Sequence, residues 1–189
     1  MFNPENKIIV DANEQIFKEY LEDLKLTPED LSKKILDVGS NDGEFAQWAK
    51  EHGVSNNIYS IDKFNMPHSD KGVVGEVSNL PFKDGEFDMV ISHNAVPNLL
   101  YTEEDGQKAH RESIGEMLRV LRSSGEIRLG GVIEWQKAEG FSQNLKNFKD
   151  ELTKLQKENQ ISIERIGLGK SEYFEGELEG SLYIIKKLE

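Results

Sequence analysis

The stretch from Ile35 to Phe45 constrains the fold of this chain more than any other. It begins with a short apolar run, Ile35-Leu36, that ends in the acid Asp37, a pattern typical of a buried parallel strand. A glycine-bearing turn follows, and apolar side chains then recur at helical spacing. A strand, a glycine turn and a helix together bring backbone N–H groups up to a polar ligand. The sequence therefore predicts a ligand site at this turn.

The spacing within the turn narrows the class of ligand. A dinucleotide fingerprint needs glycines in the pattern G-x-G-x-x-G, whereas this chain has Gly39, then Asn41, then Gly43. The glycine that would approach a pyrophosphate most closely is absent. Asp37, which precedes the first glycine, would attract an ammonium group and repel a pyrophosphate. The turn thus disfavours a nicotinamide dinucleotide and favours a ligand that carries a positive charge.

Length and composition exclude several classes of function. The chain has 189 residues, which is typical of one domain. Its formal net charge is −12, from 35 acidic and 23 basic residues, and this disfavours DNA or bulk RNA as a partner. It has no cysteine and only 4 scattered histidines, so we expect no metal site. It lacks a membrane-length apolar stretch and an N-terminal signal pattern, so we expect no membrane partner and a cytoplasmic location.

A second acid, Asp62, ends the next apolar stretch. The run from Ile58 to Asp62 predicts a second strand, and its acid follows Gly39 at close to the separation at which such a carboxylate meets a ribose. A carboxylate can accept hydrogen bonds from both ribose hydroxyls. The spacing indicates a ligand that contains a nucleoside. The alternative is an ordinary solvated acid at the end of a strand.

Three segments resemble one known family. The D-x-G-x-x-x-G turn resembles the first motif of class I S-adenosylmethionine (SAM) dependent methyltransferases, whose commoner form is D-x-G-x-G-x-G. The segment 73–92 is similar to the family's G-D-A-x-x-L-P-F-x-D-x-x-F-D-x-V, with Glu76 at the usual Asp position. The segment 118–127 resembles R-V-L-K-P-G-G-x-L, with Ser123-Ser124 in place of Pro-Gly. The resemblance, which is to the type 11 methyltransferases, runs from about residue 33 to residue 189.

This resemblance implies an α/β fold. The expected architecture is a Rossmann-like sheet of seven strands in the order 3-2-1-4-5-7-6, with strand 7 antiparallel and helices on both faces. We expect one domain over residues 1–189. Within it, residues 1–34 form an N-terminal helical segment that acts either as a lid over the ligand, with Phe17 or Tyr20 facing the substrate, or as packing at the edge of the sheet.

The resemblance also implies the cofactor, S-adenosyl-L-methionine, and the residues that hold it. Glu76 would face the adenine amino group, and Val77 would supply a backbone N–H to the ring. The predicted cofactor-binding residues are Asp37, Gly39, Ser40, Asn41, Gly43, Asp62, Lys63, Glu76, Val77 and Ser92.

The acceptor half of the site is less defined. Ser92-His93-Asn94 ends the predicted fourth strand, where the family's methyl group meets its acceptor, and it lacks the N-P-P-Y pattern of amino-directed nucleic-acid methyltransferases. His93 is the candidate catalytic residue, a general base, and the alternative is that it packs against the cofactor or the next helix. Trp135 either walls the acceptor pocket or covers the core.

The predicted activity is transfer of a methyl group to a small-molecule or peptide acceptor. We expect acceptor recognition by the N-terminal helices, the 93–104 loop and the 132–142 loop. The alternative is a non-catalytic protein of the same fold, either a partner subunit or a SAM sensor.

Overall fold

Seven strands form one sheet. The computed structural model describes residues 12–98, 103–133, 139–170 and 179–188. The strands are β1 (Ile35–Val38), β2 (Ile58–Asp62), β3 (Gly72–Val74), β4 (Phe87–His93), β5 (Leu121–Ile133), β6 (Ile161–Lys170) and β7 (Glu179–Lys187). Their order is β3-β2-β1-β4-β5-β7-β6; the pairs from β3 to β5 are parallel, and β7 runs antiparallel to both β5 and β6. The predicted fold class is confirmed.

Helices cover both faces of this sheet. They are α1 (Ala12–Asp23), α2 (Glu44–Glu51), α3 (Glu103–Val120) and α4 (Glu139–Lys157). Because successive side chains of a strand point to opposite faces, Ile35 and Ile91 pack with α1 and α2, whereas Leu36 and Val90 pack with α3 and α4. The central strands are therefore buried on both sides, as their unbroken apolar runs predict.

The C-terminal end of α1 is anchored to β5. The Arg128 guanidinium donates to the carbonyl oxygens of Leu24 and Lys25 at 3.1 and 2.7 Å, and it pairs with Asp30 at 3.2 Å. Leu24 also fills the space beside Gly130, where a Cβ would lie 2.7 Å from the Leu24 Cδ2 atom. This anchor holds α1 on the face of the sheet, beside α2.

Two of the motifs identified in the sequence contact each other. Arg119, in the 118–127 segment, donates to the carbonyl oxygens of Leu80 and Phe82 at 3.0 and 2.9 Å. The Glu116 carboxylate accepts from the Leu80 N–H at 2.8 Å and from Arg119. The two motifs thus share a structural role. The loop from Leu80 to Phe82 has no partner strand among the described residues, so Arg119 supplies hydrogen-bond donors to its carbonyl groups.

The predicted N-terminal helical segment also contains a short 3-10 turn, Asp30–Ser32. Thr27 and Asp30 cap each other: the Asp30 N–H donates to the Thr27 hydroxyl at 3.2 Å, and the Thr27 N–H donates to the Asp30 carboxylate at 3.0 Å. The chain is extended again at Lys33, because β1 begins at Ile35.

Within the described ranges, no helix combines the length and the apolar character that a bilayer span requires. The prediction for Trp135 lies outside the described residues, as do residues 99–102 and 134–138 of the two predicted acceptor loops.

Candidate functional site

A cavity of about 330 Å³ opens at the carboxyl edge of β1, β2 and β4. This is the edge at which open α/β sheets bind ligands. Loops after β1 to β4 and one face of α3 form its walls. Its lining residues are Val38, Gly39, Ile61, Asp62, Lys63, Phe64, Gly75, Glu76, Val77, Ser78, Ala95, Val96, Lys108, Ala109 and Glu112. The cavity thus brings together five of the predicted cofactor residues: Gly39, Asp62, Lys63, Glu76 and Val77.

The glycine turn contributes Gly39 to the lining of this cavity. Gly39 has φ +72°, and a Cβ there would lie 2.3 Å from the Ala95 Cβ, so glycine is required by conformation and by contact. Asn41 replaces the family's middle glycine and has φ +52°, a conformation that asparagine tolerates well. Gly43 caps α2 at its N-terminal end. The tightest approach at Gly39 is made by the protein's own loop after β4.

Asp62 joins two loops of the site. Its Oδ2 atom accepts from the Asn41 N–H at 3.0 Å, and its Oδ1 atom accepts from the N–H groups of Phe64 and Asn65 at 2.8 and 3.1 Å. One carboxylate therefore fixes both the glycine turn and the loop after β2. A carboxylate has about four acceptor positions, so it retains capacity for a ligand hydroxyl.

Asp37 is a buried acid that lies beside the Tyr20 hydroxyl but forms no well-aligned hydrogen bond. Its side chain is fully buried at the end of β1, and neither carboxylate oxygen has a partner within hydrogen-bond geometry. Burial raises the pKa of Asp37 to about 8; the nearby Tyr20 hydroxyl opposes this, and the charges of Glu44 and Asp62 add to it. An isolated carboxylate in such a place is costly unless a ligand supplies a positive charge.

Tyr20 covers this acid from α1. Its ring is 5% exposed and stacks on Phe45 of α2 with centroids 4.4 Å apart, while Phe17 stacks on Trp48 at 4.2 Å. Burial, with the charge of Asp37 next, raises the pKa of Tyr20 well above its usual value, so its hydroxyl keeps its proton. Both aromatic side chains that the sequence offered for a lid are thus packed against α2.

The two predicted serines have different surroundings. The Ser40 hydroxyl is buried beside the turn and has no hydrogen-bond partner among the described residues. The Ser92 hydroxyl is fully engaged within the protein, donating to the Val38 carbonyl at 2.8 Å and accepting from the Val96 N–H at 3.0 Å. Ser92 therefore links the ends of β1 and β4 to the segment that lines the cavity.

Glu76 and Lys63 form an ion pair of 2.9 Å at the cavity wall. The hydrogen bond and charge of Lys63 lower the pKa of Glu76, which therefore stays ionised. Both side chains are about half exposed, so the pair can rearrange around a ligand at little cost. Val77, which follows in the chain, lines the same wall.

His93 lies at the end of β4 beneath α1. Its Nε2 atom is 2.8 Å from a carboxylate oxygen of Asp23, and its ring centroid is 4.6 Å from that of Tyr20. Because a carboxylate only accepts, the Nε2 atom carries the hydrogen in this pair. The interaction ties the last turn of α1 to β4, and it also orients the imidazole as a carboxylate orients a catalytic histidine.

The α3 wall of the cavity was not predicted from the sequence. Lys108, Ala109 and Glu112 face the cavity, while His110 and Ile114 face the core. The sequence shows the core face as a helical apolar stripe, but the opposite face carries only the charges that any solvated helix shows. The position of α3 beside β4 is what turns this face into a wall.

Among the described residues, no group of three or more histidine, aspartate or glutamate side chains is arranged to hold a metal ion.

Comparison with known proteins agrees with this fold. The family described as "Methyltransferase domain" matches residues 36–129, which include most of β1, the glycine turn, Asp62, and β2 to β4. No curated protein matches the sequence.

Solved structures share the fold over nearly the whole chain. A candidate SAM-dependent methyltransferase from Methanococcus maripaludis is 19% identical, with TM-score 0.57 over 92% of this chain and 84% of that one. A SAM-dependent methyltransferase from Methanosarcina mazei is 17% identical, with TM-score 0.54 over 92% and 98%. A candidate methyltransferase from Haloferax volcanii, solved with the Trm112 methyltransferase activator, is 12% identical, with TM-score 0.55 over 94% of each chain.

Proposed function

Because this chain belongs to the class I SAM-dependent methyltransferases, we propose that it transfers the SAM methyl group to a small-molecule or peptide acceptor. SAM is its cofactor. The acceptor class rests on charge, since a formal net charge of −12 repels the phosphate backbone of nucleic acids and tolerates cationic or neutral small molecules.

The observation that carries this proposal is the carboxyl group of Asp37, which lies fully buried beside a glycine turn with the Tyr20 hydroxyl next to it. SAM is an adenosyl compound with an amino acid tail, so it presents ribose hydroxyls to one acid and an ammonium group to another. Asp62 lines the cavity, and Asp37 directly precedes Val38 and Gly39, which also line it; this arrangement suits that pair of groups. The unpartnered Ser40 hydroxyl beside the turn adds a further polar group for the tail.

Methyl transfer from SAM depends on alignment of the donor and the acceptor more than on reactive protein side chains. Bound SAM supplies a methyl carbon already activated by its sulfonium leaving group. The protein's contribution is to hold the donor with Asp62, Asp37 and the Glu76–Val77 wall, and to keep water away from the reacting carbon. A general base is required only where the acceptor must lose a proton.

We further propose that α1 is the cover of the methionine end of the site. Tyr20 of α1 lies beside Asp37, near the end of β1, and Asp23 of α1 is hydrogen-bonded to His93, at the end of β4. Movement of Tyr20 away from Asp37 would expose the carboxylate to a ligand. Helix α1 then acts as a lid within a single domain.

A label-transfer screen tests the function. We expect the protein to bind SAM and S-adenosylhomocysteine but not NAD or NADP, and to move a labelled methyl group from SAM into a pool of small amines, thiols and carboxylic acids or into peptides. S-Adenosylhomocysteine should accumulate in step with the label. Label in DNA or RNA would contradict the proposed acceptor class. Tight SAM binding with no turnover on any pool would favour the non-catalytic alternative.

His93 makes a separate prediction once an acceptor is known. If its imidazole is the general base, His93→Ala should lower kcat by about 100-fold or more, leave SAM affinity within about threefold, and remove the acidic limb of the pH–rate profile. Asp23→Asn should lower kcat less and in the same direction, because Asp23 only orients the ring. If both variants lower the melting temperature while kcat stays unchanged, the packing role is correct.

A further inference from the structure

We propose that Asn144, a buried amide in the first half of α4, is a positioning residue for cofactor binding, because it holds the segment 94–98 in place over the glycine turn. This inference deepens the proposed function and rests on the same cofactor site. Asn144 is remote in sequence from every predicted site residue.

Asn144 connects three parts of the fold. Its Nδ2 atom donates to the Pro97 carbonyl at 2.6 Å, and its Oδ1 atom lies 2.6 Å from the Nε2 atom of His110 in α3. Asn144 is 5% exposed and His110 is 1% exposed, so water does not compete for these bonds. The amide thus bridges α3 and α4 to the segment that follows β4.

The polarity of this relay is fixed by chemistry. The Pro97 oxygen can only accept, so the Asn144 amide nitrogen must face it and the amide oxygen must face His110. His110 therefore donates from Nε2. Burial lowers the pKa of His110, so the imidazole donates as a neutral ring near pH 7. Each member of the relay has a defined role, which is the condition for a buried polar network to fix one geometry.

The segment held by this relay is part of the cofactor site. Ala95 and Val96 line the cavity, and the Ala95 methyl group occupies the place where a Cβ on Gly39 would be. The Val96 N–H is bonded to the Ser92 hydroxyl, and the Asn98 amide donates to the Gly131 carbonyl at 2.9 Å. These bonds tie the segment to β4 and β5, and Asn144 ties it to the helices on the other side.

Loss of the Asn144 amide leaves the Pro97 carbonyl without this buried donor. The segment can then relax away from its position between the glycine turn and α3, and the cavity wall at Ala95 and Val96 moves with it. Because interiors are close-packed, a small shift of this wall changes the space available to an adenosyl ligand. Cofactor affinity should therefore depend on a residue that does not touch the cavity.

The test compares Asn144→Ala with a matched control in the same helix, Asn147→Ala. Asn147 is also buried, at 4% exposure, but its amide oxygen accepts from Gln143 at 2.8 Å within α4. We expect Asn144→Ala to bind S-adenosylhomocysteine about tenfold more weakly and Asn147→Ala to bind it within about twofold of wild type. Amide hydrogen exchange in residues 94–98 should accelerate only in Asn144→Ala.

The histidine supplies a second, independent pair of variants. In His110→Gln the side-chain amide can still donate to the Asn144 oxygen, whereas His110→Ala removes the donor. We expect His110→Gln to keep S-adenosylhomocysteine affinity close to wild type and His110→Ala to weaken it by about three- to tenfold. This pair decides the question even where Asn144→Ala does not fold.

Equal melting-temperature losses in Asn144→Ala and Asn147→Ala, with unchanged ligand affinity in both, would overturn the proposal and leave Asn144 with a purely structural role. Equal affinities of His110→Gln and His110→Ala would do the same. A wild-type protein that binds no S-adenosylhomocysteine at all would instead contradict the cofactor site itself.

Discussion

Replacing Asp62 with alanine should weaken SAM binding by about 30- to 1000-fold. The wild-type carboxylate has capacity for the ribose hydroxyls, and it already accepts from the N–H groups of Asn41, Phe64 and Asn65. Hydrogen bonds to a charged group contribute about 1.5–3 kcal/mol each, and water recovers part of this in the variant. A net loss of about 2–4 kcal/mol in binding free energy corresponds to SAM binding that is about 30- to 1000-fold weaker.

The hydrogen bonds that Asp62 accepts from the protein also change the stability that we expect for the ligand-free Asp62→Ala variant. From the sequence alone, an acid at the end of a strand should contribute little to stability. Because Asp62 joins the glycine turn to the loop after β2, Asp62→Ala should instead lower the melting temperature by several degrees and still leave a folded protein.

Asp62→Asn is the informative second variant. One of its two terminal atoms becomes an NH2 group, which faces a backbone N–H either at Asn41 or at Phe64 and Asn65. A donor opposite a donor is repulsive, so Asp62→Asn should bind SAM nearly as weakly as Asp62→Ala. Asp70→Ala is the matched charge control, since Asp70 is an exposed acid paired with Lys50. SAM affinity measured by calorimetry that is equal in wild type and Asp62→Ala would refute the placement of the ribose.

The affinity for SAM should also rise steeply with pH up to about pH 8. The pKa of Asp37 is raised to about 8 by burial, so the carboxyl group is protonated in the free protein at neutral pH. Binding an ammonium group beside it requires release of that proton, and affinity then rises by up to about tenfold per pH unit between pH 6 and 8. Above about pH 8 the α-amino group of SAM loses its own proton, so affinity should pass through a maximum there.

Two controls isolate Asp37 in this profile. Adenosine has no amino acid tail, so its affinity should stay flat over the same pH range. Asp37→Asn has no proton to release, so its SAM affinity should be low and nearly independent of pH up to about pH 8. Calorimetry in buffers of different ionisation enthalpy should detect one released proton in wild type below pH 8. A flat wild-type profile would show that Asp37 does not meet the ammonium group.

The raised pKa of Asp37 also makes the stability of the ligand-free protein depend on pH. The folded pKa of Asp37, about 8, lies above its ordinary value of 3.8, so the folded state holds the proton more tightly than the unfolded chain. The stabilisation from this group is complete below about pH 4 and is lost as pH rises towards 8. Chemical denaturation of the ligand-free protein should show this slope in wild type and not in Asp37→Asn.

The sequence by itself determined the β1–turn–α2 unit and the position of its acids. Local physics is sufficient there, since an apolar run sets the strand, a glycine at φ +72° is required at residue 39, and helical spacing sets α2. The L-P-F and R-V-L motifs then identified the family and, through it, the strand order. Asp62 was located by its separation from the first glycine.

Only the tertiary structure decided what these residues contact. The sequence offered Tyr20 as part of a lid, but its position over Asp37 depends on the anchor of α1 on β5 through Arg128. The α3 wall and the bond from Asn144 to Pro97 join elements that are far apart in the chain. Such contacts leave no periodic or local signal, because the same buried amide or charged helix face occurs in any α/β protein. The sequence therefore determined which residues we expect to hold the ligand, and packing between distant helices and strands decided where those residues lie relative to one another.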